Sequence, residues 1–254
     1  MEKETKINLY SVILVVLFYL IFISIPFSMF IDNEELVFWL QIGLRVLYIP
    51  FFFYYTRKER LSSLKVPRFK VKDAIFMPFI LITSTNLLVV LISGFGKLDL
   101  SNAYILKYLL FYALVAFDEE LVFRVVVNTE LLKYHSRLKS IIISSAIFGL
   151  IHLVNINSLG SIPYVLLQVL YSFGFGLVLA LIYTYTDNLI YIFVLHFLFD
   201  FINGFLAVEL FDFDYNLWFY LVNIIISILF VLYGFFVYKH KEKEVMDASK
   251  NMDI

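Results

Sequence analysis

Long apolar runs separated by short polar connections organise this chain from end to end. A helix needs about 20 residues to cross bilayer hydrocarbon at about 1.5 Å of rise per residue. Runs on that scale fall at 8–31, 37–56, 74–93, 103–132, 139–155, 160–183, 187–206 and 216–238. The pattern predicts an all-α polytopic membrane protein with about eight transmembrane helices. Lys3 and Lys6 stand before the first run, as they would in a signal peptide. That run is too long for such a segment and no small-residue cleavage site follows, so a retained helix is expected. Three regions emerge: 1–100, with three helices and a basic loop at 57–73; 101–206, where ionisable residues within helices concentrate; and 207–254, a last helix and charged tail.

Charge in the connections orients the helices, because short cytoplasmic loops collect Lys and Arg. Arg57, Lys58, Arg60, Lys65, Arg68, Lys70 and Lys72 make the second connection the most basic in the chain. It reads as a topology signal in contact with anionic membrane lipid. Lys133, Arg137 and Lys139 mark the fourth connection in the same way, and Lys239, Lys241 and Lys243 follow the last run. Asp32, Glu34 and Glu35, then Glu209, Asp212 and Asp214, lie on connections assigned to the exterior. Eight spans place both termini in the cytoplasm. Tyr54, Tyr55, Tyr134, Tyr183, Tyr185, Tyr191, Trp218 and Tyr238 fall near the predicted interfaces, where amphipathic rings suit headgroup depth.

Composition agrees with that picture. The chain is 62% hydrophobic, 19% aromatic and 16% charged, with a mean hydropathy of +0.88, whereas soluble domains carry about 25% charged residues. A formal net charge of -1 gives nucleic-acid binding no footing. With no cysteine, the chain has no disulfide, thiolate metal site or cysteine nucleophile. The pattern sets no oligomeric state.

Ionisable residues at bilayer depth cost about 2.5–3.5 kcal/mol each and need partners. The fourth run carries Asp118, Glu119, Glu120 and Arg124, the fifth His152, the seventh His196 and Asp200. Left unpaired in lipid the set would cost on the order of 15 kcal/mol, so the residues are expected to converge. Helical rise puts Glu119 and His152 about 20 Å, and His196 about 14 Å, above the cytoplasmic ends of their helices, a common layer. Glu120 and Arg124 are four residues apart on one face and suit an ion pair. Glu119 points about 100° away. His196 and Asp200 repeat the four-residue spacing, which lets a carboxylate orient an imidazole or both bind one metal, and Phe148 and His152 repeat it again.

Glu119-Glu120-Leu121-Val122-Phe123-Arg124 resembles the EExxxR motif of the CAAX-protease and bacteriocin-processing family, also called the Abi family. Phe148 to His152 resembles its FxxxH motif and His196 to Asp200 its HxxxN/D motif, in family order. The resemblance covers about 101–206 and implies an eight-helix core with a conical catalytic cavity. It implies an intramembrane endopeptidase in which Glu119 is the general base toward water, His152 positions that water, and His196 and Asp200 face the oxyanion. Glu120 and Arg124 would brace the helix, with Phe148 supporting the site.

Asp200 stands where eukaryotic prenyl-protein proteases of the family have an amide, and orienting His196 or binding a cation suits it better. No metal is favoured, because no HExxH occurs; zinc on Glu119, His152, His196 and Asp200 is the runner-up. The expected partners are membrane lipid and a peptide or membrane-protein substrate in a bacterial cell membrane. Bacteriocin or secreted-peptide processing, self-immunity and control of a membrane sensor are the expected settings. The alternatives are a catalytically silent scaffold or sensor-kinase regulator and a proton-coupled transporter, although no inverted repeat is visible.

Other polar or small positions have plainer readings. Asp118 is expected to wall the site and Arg45 to snorkel or pair. Asn155 and Asn157 should cap or solvate a helix end. Gly174 and Gly176 should admit close helix approach, and Gln168 and Asn203 should bond between helices.

Overall fold

The computed structural model describes residues 9–23, 30–56, 105–157, 162–204 and 217–250, together with Ile25, Phe27, Ile75, Phe76 and Phe79. The predicted third helix apart from Ile75, Phe76 and Phe79, the basic loop 57–73 and the acidic connection at 209–214 lie outside the described residues. Within them the chain forms seven helices and no strand. Helix α1 is Leu9–Ile23 and α2 is Glu34–Thr56. Helix α3 starts at Ile105–Glu120, widens to π geometry over Leu121–Asn128 and closes at Thr129–Leu131. Helix α4, Arg137–Ile151, tightens into a 3-10 turn at His152–Asn157. Helix α5 is Ile162–Thr186, α6 Leu189–Asp200 with π turns to Gly204, and α7 Leu217–Lys250.

Among the described residues, three stretches, Arg137–Ile156, Ile162–Thr186 and Tyr220–Lys250, are long and apolar enough to cross a membrane. Val12–Ile23 and Leu189–Gly204 are apolar but shorter. Helices α2 and α3 have the length, yet α2 carries Glu34, Glu35 and Arg45 and α3 carries Lys107 and its acidic cluster. On α7, Ile225, Leu232 and Phe236 stand exposed in a row, an apolar surface that water does not suit and lipid does. The chain's described residues therefore form an all-helical fold, with the apolar helices of a membrane protein.

Two helix limits differ from the sequence expectation. Helix α1 stops at Ile23, short of residue 31, so the apolar run outlasts the helix. Helix α7 runs on to Lys250, past the end of its apolar stretch. Residues 239–250 are rich in good helix formers, and Lys241–Glu244 at 3.0 Å and His240–Glu244 at 3.4 Å add pairs one turn apart.

Helix directions follow from the contacts. Glu35 meets Lys107, Phe38 meets Phe111 and Arg45 meets Asp118, so α2 and α3 run parallel. The Lys107 ammonium beside Glu35, first, and the Trp39 N–H hold the Glu35 carboxyl below the usual carboxylate range. Helix α4 lies antiparallel to α5, and a Cβ on Gly149 would come within 2.8 Å of the Val169 carbonyl. Helices α5 and α7 run parallel, with Gly174 against Ser227 and Phe230 and Tyr185 against Glu242. The predicted close approach at Gly174 is thus present, since a Cβ there would stand 2.9 Å from the Ser227 carbonyl. Asp187 turns the chain from α5 to α6 at a φ of 49°, a conformation Asp tolerates, and Asn188 caps α6 by accepting from the Tyr191 N–H.

Candidate active site

The widened segment of α3 sets the stage. Val125, Val126 and Val127 are β-branched and stiff at χ1, and the backbone N–H and hydroxyl of Thr129 both reach the Arg124 carbonyl five residues back. Such π segments are rare and often mark functional sites. All eight residues from Leu121 to Asn128 are buried, and so are Asp118, Glu119 and Glu120 before them.

Glu120 and Arg124 form the expected ion pair, Oε2 to Nε at 3.2 Å, with both side chains fully buried. Arg124 also lies over the Phe148 ring at 4.4 Å and donates to the Gly176 carbonyl. Its charge is therefore met by a carboxylate, a π face and a backbone oxygen. A Cβ on Gly176 would stand 2.7 Å from Phe148 Cδ1, so the close approach predicted there brings α5 against this ring.

The other oxygen of Glu120 accepts from His196 Nδ1 at 2.7 Å. An ionised carboxylate only accepts, so this bond places a proton on Nδ1 and aims Nε2 the other way. Nε2 faces Asp200 Oδ2 at 3.3 Å and Glu119 Oε2 at 3.6 Å. Glu119, Glu120, His196 and Asp200 therefore meet between α3 and α6. Phe175 and Phe148 stand edge-on to the His196 ring at 5.2 and 5.7 Å and hold its plane.

His152 also stands edge-on to Phe148, with ring centroids 5.3 Å apart. Its Nδ1 bonds the Phe148 carbonyl at 2.9 Å, which assigns the proton to Nδ1 because a carbonyl only accepts. Nε2 is left as an acceptor, with the Ser172 hydroxyl 3.5 Å away. His152 thus joins the cluster through Phe148 and α5.

The four residues named as zinc ligands are not drawn into one coordination set. Among the described residues, no three His, Asp or Glu side chains are arranged to hold a metal ion. His152 Nδ1 and His196 Nδ1 carry their protons toward a carbonyl and a carboxylate.

Several members of this polar network were missed or only half-read in the sequence. Tyr19 of α1 donates to Glu119 Oε1 at 3.2 Å. Arg45, expected to snorkel or pair, faces Asp118 at 3.6 Å, so Asp118 serves as its counter-ion. A lone Arg and a spare Asp at the same depth were the signal for that pair. Ser172 carried none. Asn155 bonds Gln168 between helices at 3.0 Å, whereas Asn203 donates to Phe199 one turn back in its own helix.

Residues 101–202 match the family model described as Type II CAAX prenyl endopeptidase Rce1-like. That stretch contains every motif residue from Glu119 to Asp200, so the family resemblance read from the three motifs is borne out. No curated protein matches the chain.

Proposed function

We propose that the protein is an intramembrane endopeptidase that hydrolyses a peptide bond with water activated by Glu119. The observation that carries this reading is the His196 ring, braced by Glu120 on Nδ1 and presenting Nε2 to both Glu119 and Asp200 in a buried setting. Amide hydrolysis needs a base for water and a donor for the tetrahedral oxyanion. Glu119 takes the water proton as the hydroxide oxygen bonds to the amide carbon. The carbonyl electrons move to oxygen, and a protonated His196 Nε2, oriented by Asp200, donates to that oxyanion. Collapse breaks the C–N bond, and the proton held by Glu119 passes to the leaving amine. His152, its Nε2 lone pair free of its own proton, orients the water. Arg124 pairs with one oxygen of Glu120 and so holds the other against His196 Nδ1, which keeps the imidazole in its orientation.

The substrate in this reading is a membrane-associated peptide or protein. Processing of secreted peptides or bacteriocins, self-immunity and control of a membrane sensor all suit a bacterial membrane enzyme with eight spans and both termini in the cytoplasm. No metal takes part. Purified protein is tested on internally quenched peptides, among them a prenylated one ending in the CAAX sequence, with and without chelator. Cleavage is expected, insensitive to chelator and abolished in Glu119→Gln. Full activity in that variant ends the proposal, and loss of activity with chelator ends its metal-free form.

A further inference from the structure

A carboxylate base works best when its oxygens are held in one orientation, and two elements outside residues 101–202 supply that restraint. Tyr19 of α1, 1% exposed, donates its hydroxyl to Glu119 Oε1 at 3.2 Å. Its ring is fixed between Tyr48 at 5.4 Å and Phe123 at 6.1 Å, edge-on to both. Arg45 of α2 faces the buried Asp118 at 3.6 Å and lies 5.4 Å from the Phe111 ring centroid. A carboxylate oxygen only accepts, so the single proton of the Tyr19 hydroxyl is directed to Glu119.

The two carboxylate oxygens of Glu119 are divided by this arrangement. Oε1 belongs to Tyr19, and Oε2 is turned to His196 Nε2 at 3.6 Å. We propose that Tyr19, held between Tyr48 of α2 and Phe123, is a positioning residue that fixes Glu119 with one oxygen anchored and the other presented to the reacting water. This rests on the reading of Glu119 as the base. The working site would then need α1 and α2 as well as the stretch that carries the motifs.

The test uses Tyr19→Phe in the full chain, purified in detergent, with two readouts. The first is independent of activity. The infrared difference spectrum between the protein and Glu119→Gln isolates the Glu119 carboxyl band. That band is expected to shift when Tyr19→Phe removes the donor. It should shift the opposite way when 3-fluorotyrosine at position 19 strengthens the donor while keeping the shape, which also serves if the Phe variant fails to fold. An unmoved band overturns the proposal.

The second readout is cleavage of the internally quenched prenylated peptide. For Tyr19→Phe, kcat should fall roughly ten- to hundred-fold at unchanged KM, on the scale of about 100-fold that small misplacements of catalytic groups cost. Tyr233→Phe, which loses a hydroxyl bonded to the Ile75 carbonyl away from Glu119, should keep both constants. Unchanged kcat, or a rise in KM alone, in Tyr19→Phe overturns the proposal. If the unaltered protein cleaves no peptide while the band still shifts, positioning stands and only the endopeptidase reading fails.

Discussion

Glu120 serves two partners at once, Arg124 at 3.2 Å and His196 at 2.7 Å, from a site with no solvent contact. Its neighbour Glu119 instead meets a tyrosine hydroxyl and the edge of the same imidazole. The two adjacent acids should therefore respond differently to substitution. Glu120→Ala strands the Arg124 guanidinium, and breaking a buried pair from one side costs about 3–5 kcal/mol. Glu119→Gln keeps an acceptor for Tyr19 and a similar volume. Thermal unfolding in detergent is expected to show a large fall in midpoint, or no folded protein, for Glu120→Ala, and a midpoint close to the unaltered protein for Glu119→Gln. Similar midpoints would remove the division between bracing and reacting acid. That division was legible in the sequence, because a four-residue spacing on a helix fixes which side chains share a face. The Tyr19 bond was not, since it joins positions 100 residues apart and no local pattern records it.

The same contrast between local and distant signals governs the helices. The FxxxH and HxxxD spacings were readable because each sits within a turn of one helix, and the His196–Asp200 contact follows from it at 3.3 Å. The π widening of α3 was not, because a valine-rich run reads as a stiff helix or strand until its hydrogen bonds are seen. The end of α7 was misplaced for a different reason: hydropathy marks where a helix leaves the apolar layer, while propensity and charge pairs decide where it stops. The extension past residue 238 is tied down by Glu242, which accepts from the Tyr185 hydroxyl at 2.7 Å and from Arg137 at 3.0 Å. The ion pair is partly exposed, and such pairs contribute about 0–1 kcal/mol, so Glu242→Ala should barely move the unfolding midpoint. Position should be the sharper readout. In a chain without cysteine, Arg137→Cys with Glu242→Cys makes a single thiol pair. A short thiol-to-thiol reagent is expected to join α4 to α7 within one molecule. Absence of that link would mean that the extension does not lie against α4.

At the scale of the whole molecule, helix directions bear on how the chain threads the bilayer. Helices α2 and α3 run parallel, as the contacts of Glu35 with Lys107 and of Arg45 with Asp118 require. Between two parallel helices a chain must return to its starting side, and the apolar run 74–93, most of it outside the described residues, is where the sequence puts that return. Arg137, Tyr185 and Glu242 meet at one end of the bundle, which gathers the start of α4, the end of α5 and the extension of α7. Lys133, Arg137 and Lys139 make this the basic end, which the charge rule predicts to be cytoplasmic. Glu34 and Glu35 open α2 on the acidic connection that the same rule predicts outside. Single cysteines in the otherwise cysteine-free chain can check the sidedness with a thiol reagent that does not cross membranes. Substitutions at Glu2, Ser136 and Ser249 should label only after the membrane is opened, and one at Asp32 should label in intact cells. Labelling of Ser249→Cys from outside would invert α7, and with it α5 and the basic end of α4. Glu119 and His196 would then face the opposite compartment, and the water and peptide reaching them would have to come from there.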